Sequence, residues 1–322
     1  MLTYTEMDAI TDDYFIADGK KAIDIFFNDC FALDWFMNKK KGIWERPNGG
    51  QRFRIPLSYD GQEGDFYSRG EEMSSDDREN LQAAYFLPKN VYSNATIYRQ
   101  DELANAGEYA EVQLLTSRLE SAQKTIRKKI AVNIYSLNPD GDKNLTGLRS
   151  CCFGATGTPY GAIAEDDLAS SDGTKPWKAV NVTTSEAIGL AKIQTLRSLA
   201  KISNGASGKP DIGMTTETLF NVISSVLQVQ QRFTENKDVT AAGFTNITYE
   251  GMTIAADDYC PSGYFFALNS NYVGFAIYQG GFFAREPWGK IPGIAGKSMK
   301  IYWDGNLVVS NRKAHSAHSN LL

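Results

Sequence analysis

The sequence holds two histidines, His315 and His318, both within its last eight residues. A spacing of three could chelate a metal weakly, but no carboxylate or thiol stands beside them in sequence. A Ser-His-Asp or Cys-His site would therefore have to be built on a chain terminus, where fraying works against fixed geometry. A solvated tail is the expectation. Cys30, Cys151, Cys152 and Cys260 show no CxxC spacing and no neighbour that would activate a thiolate. Buried free thiols in a reducing cytoplasm are expected, with no disulfide. Two carboxylate clusters, Asp257-Asp258 and Glu165-Asp166-Asp167, could do acid–base or metal work. Turn and cap roles fit them better. The stretch from Gly154 to Gly161 has the glycines of a phosphate loop but not its Gly-Lys-Ser/Thr end, and Pro159 removes an amide. It reads as a plain loop. No catalytic, cofactor or metal residue is assigned, and an enzyme with a carboxylate-based site stays as the reading from another class.

The 322 residues are 42% hydrophobic and 22% charged, with a formal net charge of −5. That is a globular chain of one or two domains, and its acidity counts against a global nucleic-acid binder. Residues 1–15 carry acids and no apolar run, so no signal peptide is expected. No run approaches the ~18–20 apolar residues of a membrane helix. Charge is unevenly spread. Residues 60–80 hold eight acids and two bases, or −6, more than the whole chain's excess. Residues 118–129 hold five bases and one acid, or +4. An acidic stretch with few aliphatics cannot pack a core of its own and needs a surface to lie on. Glu71, Glu72, Asp76 and Asp77 are the candidate contacts on one side, and Lys124, Arg127, Lys128 and Lys129 on the other. The bland alternative is two solvated faces.

The elements that must carry these charges are legible from periodicity. Residues 101–137 contain no proline, and Leu115, Leu119, Ala122, Ile126, Ile130 and Leu137 mark one face of a 3.6-residue period. Gln113, Arg118, Glu120, Gln123, Lys124, Arg127 and Lys128 mark the other. A helix from Glu108 would run about thirty residues, roughly 45 Å, and act as a beam. Before it, residues 1–37 read as a mostly helical arm with Thr5 and Asp8 as a cap, whose Ile23, Phe26, Phe27, Phe31 and Phe36 must dock somewhere. Residues 52–58 alternate as a strand that Pro56 confines to an edge, and Leu81 to Tyr98 is the return strand, so the acidic stretch tips a long hairpin. After the beam come helices at 184–202, with Ile188, Ala191, Leu196 and Leu199 on one side, and at 217–233. The second is capped by Thr215 and buries Leu219, Val222, Ile223 and Val226. Strands are read at 212–214, 247–249, 252–255, 264–268 and 273–278, then 298–302 and 307–310 around a turn at Asp304-Gly305.

This order of parts resembles the tailed-bacteriophage major capsid protein family, with its Hong Kong 97-type α+β fold. Arg52–Pro56 with Leu81–Phe86 is similar to the family's extended loop, and Glu108–Leu137 to its spine helix. Ile212–Met214 with the following helix, and Tyr249–Ile254, Asp257-Asp258 and Pro261–Ala267, resemble its axial domain. The resemblance implies an N-terminal arm at 1–42 and an extended loop at 43–84. It places a peripheral domain with spine helix at 85–137, an axial domain at 138–284 and returning peripheral strands at 285–322. It further implies a structural protein, not an enzyme, that self-assembles as pentamers and hexamers into an icosahedral shell around double-stranded DNA. Its partners would be copies of itself, DNA bound without sequence specificity, and scaffolding, portal and decoration proteins, with no membrane. It would be assembled in the host cytoplasm and reside in the virion. The chain starts almost at its arm, so scaffolding is expected to be separate or absent, and no cross-linking site is placed. An encapsulin-like nanocompartment shell is the alternative within the fold.

Overall fold

The fold is seen in a computed structural model that describes residues 3–8, 30–38, 43–46, 50–62, 64–73, 78–104, 108–138, 141–154, 159–170, 173–202, 208–230 and 246–322. Helix α1 (Phe31–Asn38) is followed by strands β1 (Ile43–Arg46), β2 (Phe53–Ser58), β3 (Leu81–Phe86) and β4 (Lys89–Tyr98). Helices α2 (Arg99–Ala104), α3 (Glu108–Ile134) and α4 (Leu148–Phe153) come next, then β5 (Asn181–Val182), α5 (Leu190–Leu199), β6 (Ile212–Thr215) and α6 (Glu217–Gln230). The chain ends in strands β7 (Asn246–Tyr249), β8 (Met252–Ala256), β9 (Phe265–Leu268), β10 (Val273–Tyr278), β11 (Ala284–Arg285), β12 (Gly289–Lys290), β13 (Gly296–Val309) and β14 (Ser316–His318).

Helix α3 is the beam, 27 residues or about 40 Å long. Leu115, Leu119, Ala122, Ile126 and Ile130 are all buried, as their spacing requires. Leu137 is not, because the helix stops at Ile134 and Leu137 lies exposed beyond it. Gln123 and Arg127, expected on the polar face, are buried. The helix packs on β4 and β13 and also on α1, so its buried stripe is wider than one face.

The sheet under the beam is organised by β13. Its order is β1-β10-β13-β11, with β4 and β12 also paired to β13. β4 runs antiparallel to it from Gly296↔Tyr98 to Gly305↔Lys89, and β10 pairs the opposite edge from Val273↔Val309 to Ile277↔Gly305. The turn expected at Asp304-Gly305 is therefore absent: one 14-residue strand runs through it. Gly305 serves close approach, since a Cβ there would lie 2.8 Å from the Ala276 carbonyl oxygen. The expected single return strand at 81–98 is instead two strands. Pro88 sits at the break, where the chain leaves the hairpin for the main sheet. β1 pairs in parallel with β10, so the free hairpin begins at Phe53.

The second sheet has the order β5-β14-β9-β6-β8-β7. Two assignments change here. Val273–Tyr278 belongs to the first sheet, and the C-terminal strand β14 returns to the second, between β5 and β9. Helix α5 starts at Leu190 because the preceding segment is extended along the C-terminus, with Leu322 donating to the Glu186 carbonyl at 3.1 Å. Its buried residues are Ile193 and Leu196; Ala191 and Leu199 are exposed. Helix α6 buries Leu219, Phe220, Ile223 and Leu227, leaving Val222 exposed and Val226 half-buried. Phe233 lies outside the described residues. Thr215 does not cap α6: it is the last residue of β6 and its hydroxyl donates to the Tyr264 carbonyl at 2.9 Å.

The arm docks as its aromatics require. Phe31 and Phe36 are buried, and Phe36 meets Phe275 edge-on at 5.3 Å. Ile23, Phe26 and Phe27 lie outside the described residues. The capping box forms at Thr3 and Glu6 rather than Thr5 and Asp8: the Glu6 carboxylate accepts from the Thr3 N–H at 2.7 Å and the Thr3 hydroxyl from the Glu6 N–H at 3.3 Å. Glutamate has the reach that the motif needs. Asp8 accepts from the Trp288 N–H instead.

Glu165 also departs from its expected turn role. It forms a buried ion pair with Arg312 at 3.0 Å. The guanidinium further donates to the Cys151 and Trp177 carbonyls and lies 4.9 Å from the Tyr160 ring centroid. Glu165→Ala strands a buried cation and is expected to cost about 3–5 kcal/mol. Glu165→Gln, which keeps an acceptor, should cost less. Urea unfolding of both variants checks this, and a loss below about 1 kcal/mol for Glu165→Ala would show that the pair is not needed.

Candidate assembly surface

The hairpin that carries the acidic stretch is a two-stranded sheet, paired from Phe53↔Phe86 to Ser58↔Leu81. Pro56 is tolerated because both strands are edges. The root of this finger is fixed. Phe86 packs on Tyr160 at 5.2 Å, and the Tyr85 N–H donates to the Gly161 carbonyl. Gly161 has φ +63°, and a Cβ there would meet Phe86 Cζ at 2.9 Å, so only glycine fits. Beyond a last backbone bond from the Tyr59 N–H to the Asn80 carbonyl, side-chain bonds take over. The Gln62 side chain pairs with the Arg78 backbone, and the Glu71 carboxylate accepts from the Ser68 N–H at 2.8 Å. The tip exposes Phe66 (99%), Tyr67, Glu71, Glu72 and Met73 to solvent. Asp76 and Asp77 lie outside the described residues.

The basic partner read from the helix is only partly a surface. Lys124, Lys128 and Lys129 are exposed on α3, but Arg127 is 4% exposed. Its side chain is buried under the surface of the beam and is not available to a partner. Arg118 is paired to Asp101 at 3.5 Å. The structure therefore leaves three lysines of the five bases, and within one copy it brings neither Glu71 nor Glu72 to them in any described ion pair. Sequence reading overlooked the outer tyrosines of β4. Tyr92 and Tyr98 are exposed while Ser93, Ala95 and Ile97 are buried. The alternation itself was the available signal.

The groups that could do chemistry are taken up by the fold. Both histidines are buried, not solvated: His318 lies in the inner strand β14 and His315 stands just before it. His315 Nδ1 accepts from the Asn269 N–H at 3.2 Å, and burial pushes its pKa down to about 3. His318 Nε2 lies 3.1 Å from a Glu186 carboxylate oxygen. All four cysteines are buried and free, and burial raises Cys30 and Cys260. Asp257 is buried between lobes. Its carboxylate accepts from the Ala32 N–H at the start of α1 at 2.7 Å and from the Tyr259 N–H at 2.9 Å, and burial raises its pKa. It acts as a cap, but for a helix 225 residues away in sequence. Asp167 and Asp166 make a turn bond to the Ala164 N–H and a surface pair with Lys175. Among the described residues no group of three His, Cys, Asp or Glu side chains could hold a metal. No described helix is long and apolar enough to cross a membrane.

No protein-family model and no curated protein sequence matches the chain. Solved structures do. The capsid asymmetric unit of cyanophage A-1(L) superposes with a TM-score of 0.66 at 13% identity, covering 91% of this chain and 93% of that one. The capsid of a native GTA particle gives 0.57 at 9% identity, over 86% and 88% of the two chains. The holo-SrpI encapsulin complex from Synechococcus elongatus gives 0.53 at 11% identity, over 86% and 84%. At these identities the likeness is one of fold: the chain has the α+β Hong Kong 97-type capsid fold.

The buried histidine gives the fold a pH signature. His315 has its folded pKa far below the unfolded value of about 6.5, so the unfolded chain binds the extra proton. Its contribution is complete above about pH 6.5 and is lost as pH falls toward 3, by about 1.4 kcal/mol per unit. Unfolding free energy measured at pH 7 and pH 5 is expected to fall more in the wild type than in His315→Asn, by about 2 kcal/mol. Equal falls would contradict a neutral buried imidazole.

Proposed function

We propose that this chain is the major capsid protein of a tailed bacteriophage, assembling as pentamers and hexamers into an icosahedral shell around double-stranded DNA. The observation that carries this reading is the superposition over 91% of the chain on a phage capsid structure, at a TM-score of 0.66. The role is structural and not enzymic. The titratable groups described above are spent on capping, ion pairing and burial, and the solved neighbours are shell subunits. The subunit's net charge of −5 suits DNA that is packed inside the shell rather than gripped by its wall. Assembly in the host cytoplasm suits four free thiols. Scaffolding, portal and decoration proteins are the further partners that such a shell uses.

The finger is the part of the subunit made for contact. It exposes aromatic and acidic side chains that its own copy does not cover, so a neighbouring copy covers them. Two basic surfaces could receive it: Lys124, Lys128 and Lys129 on α3, or a cavity lined by Arg99, Lys290 and Lys297 at the far end of the first sheet. A nanocompartment shell is the second reading, since an encapsulin shares the fold at a TM-score of 0.53.

Purified full-length chain is expected to form closed particles in negative-stain images and to sediment as one large species. A chain that stays monomeric at every concentration and salt tested would overturn the reading. Particles that retain one bacterial protein inside would favour the nanocompartment. In hydrogen exchange, residues 64–73 of the dilute subunit should be nearly unprotected while Leu115–Ile130 is protected, and assembly should slow the finger. Strong protection of the finger before assembly would contradict its being ordered by a neighbour.

A further inference from the structure

We infer that the exposed basic stripe of α3 is the surface by which this subunit touches duplex DNA, through its phosphates and without reading sequence. The inference rests on the shell reading and deepens it by naming the residues in contact. The apolar stripe of α3 is buried on the sheet, and the opposite side is left to solvent. There the helix presents the hydroxyls of Ser117, Ser121 and Thr125 and the ammonium groups of Lys124, Lys128 and Lys129. Arg118, also exposed, is taken by Asp101 at 3.5 Å. Glu120 is the one acid of α3 between Ser117 and Val132, and it is half-buried. No ion pair among the described residues uses Lys124, Lys128 or Lys129. This side of the beam is therefore a rail of three unpaired cations with no exposed carboxylate along it.

Lysine ammonium groups and serine or threonine hydroxyls are side chains that contact phosphate and sugar, and such contacts carry no base information. Lys124 and Lys128 stand four residues apart, about 6 Å along the helix axis, and Lys129 points roughly 100° around from Lys128. A duplex strand carries one phosphate per about 3.4 Å of its axis, so three flexible stems reach three neighbouring phosphates. Three charges are a light hold. That agrees with a subunit of net charge −5, whose other acids oppose tight binding. Acids more than about 10 Å away are screened at 0.1 M salt, while phosphates in contact with the lysines are not.

The acidic finger is the rival occupant of this rail, and its chemistry fits worse. Phe66, Tyr67 and Met73 at its tip need an apolar receptor. Between Leu114 and Ile134 the helix exposes one apolar side chain, Val132. A polyanion whose outer surface is phosphate makes no such demand. The side of the subunit that carries α3 is then the side turned to the DNA. The opposite face of the first sheet, with Tyr92 and Tyr98 exposed, is turned away from it.

Fluorescence anisotropy of a short labelled DNA duplex, titrated with full-length subunit at several low salt concentrations, tests the contact. Three phosphate contacts give a slope of about −2.7 in log K against log salt, so a fourfold rise in salt is expected to weaken binding about fortyfold. Lys124→Gln with Lys128→Gln and Lys129→Gln should remove nearly all of that dependence, leaving less than about a threefold change, while thermal melting of the subunit is unchanged. Lys143→Gln with Lys178→Gln and Lys201→Gln takes the same charge from exposed lysines elsewhere and should leave the slope as it was. Equal losses in the two triple variants, or a wild type that does not bind the duplex at the lowest salt, would overturn the inference. Carbodiimide links between copies that join Glu71 or Glu72 to these three lysines would place the finger on the beam and overturn it too. The anisotropy readout needs no particle. Lysine-dependent binding by a chain that never closes into shells would sink the shell reading and leave the contact standing. Closed shells from a subunit that binds the duplex no better than the α3 triple variant would do the reverse.

Discussion

One strand carries most of the molecule's order. The 14-residue β13 pairs with β4 along one edge and with β10, β11 and β12 along the other. Its inward residues Met299, Ile301 and Trp303 are buried, and the beam lies on the same sheet. The ladder to β4 fixes two further things at once. One end holds the root of the finger and the other holds the basic cavity, so the spacing between them is set by a rigid element.

Helices and loops are tied to the sheets by buried polar groups whose partners come from far along the chain. Asp257, beyond the end of β8, caps α1 under the beam. Asn306 in β13 accepts from the Thr146 N–H and donates to the Leu87 carbonyl. Arg312 ties α4 to the loops at Glu165 and Trp177. Each such group is costly to leave unpaired, so the lobes cannot separate cheaply.

The finger is the exception to that order. Its ladder stops at Ser58 and Leu81, and past that point local side-chain bonds shape the tip. An isolated two-stranded hairpin is marginal in water. Its aromatic and acidic tip lies exposed, with no core to join among the described residues.

Local patterns in the sequence determined the beam, the hairpin, the strands near 212–214, 247–249, 252–255, 264–268 and 273–278, and the uneven charge. Periodicity of 3.6 or 2 follows from burying one face, and each of these segments has a face to bury. The resemblance rested on the order of those parts, and the fold is shared with a solved structure at 13% identity. What tertiary structure alone decided is where one element meets another. Arg127 is a surface charge by its neighbours in sequence and a buried one because α1 covers the helix. Gly305 looks like a turn and is a gap for β10 to pass. The histidines look like a tail and are core, since the last strand enters between β5 and β9. Arg99 and Lys290 are 191 residues apart in the sequence, and no local pattern joins them. Only the antiparallel pairing that brings Tyr98 opposite Gly296 places both at one cavity, because a long-range ladder, unlike a helix or a turn, has no signature in the residues between its strands.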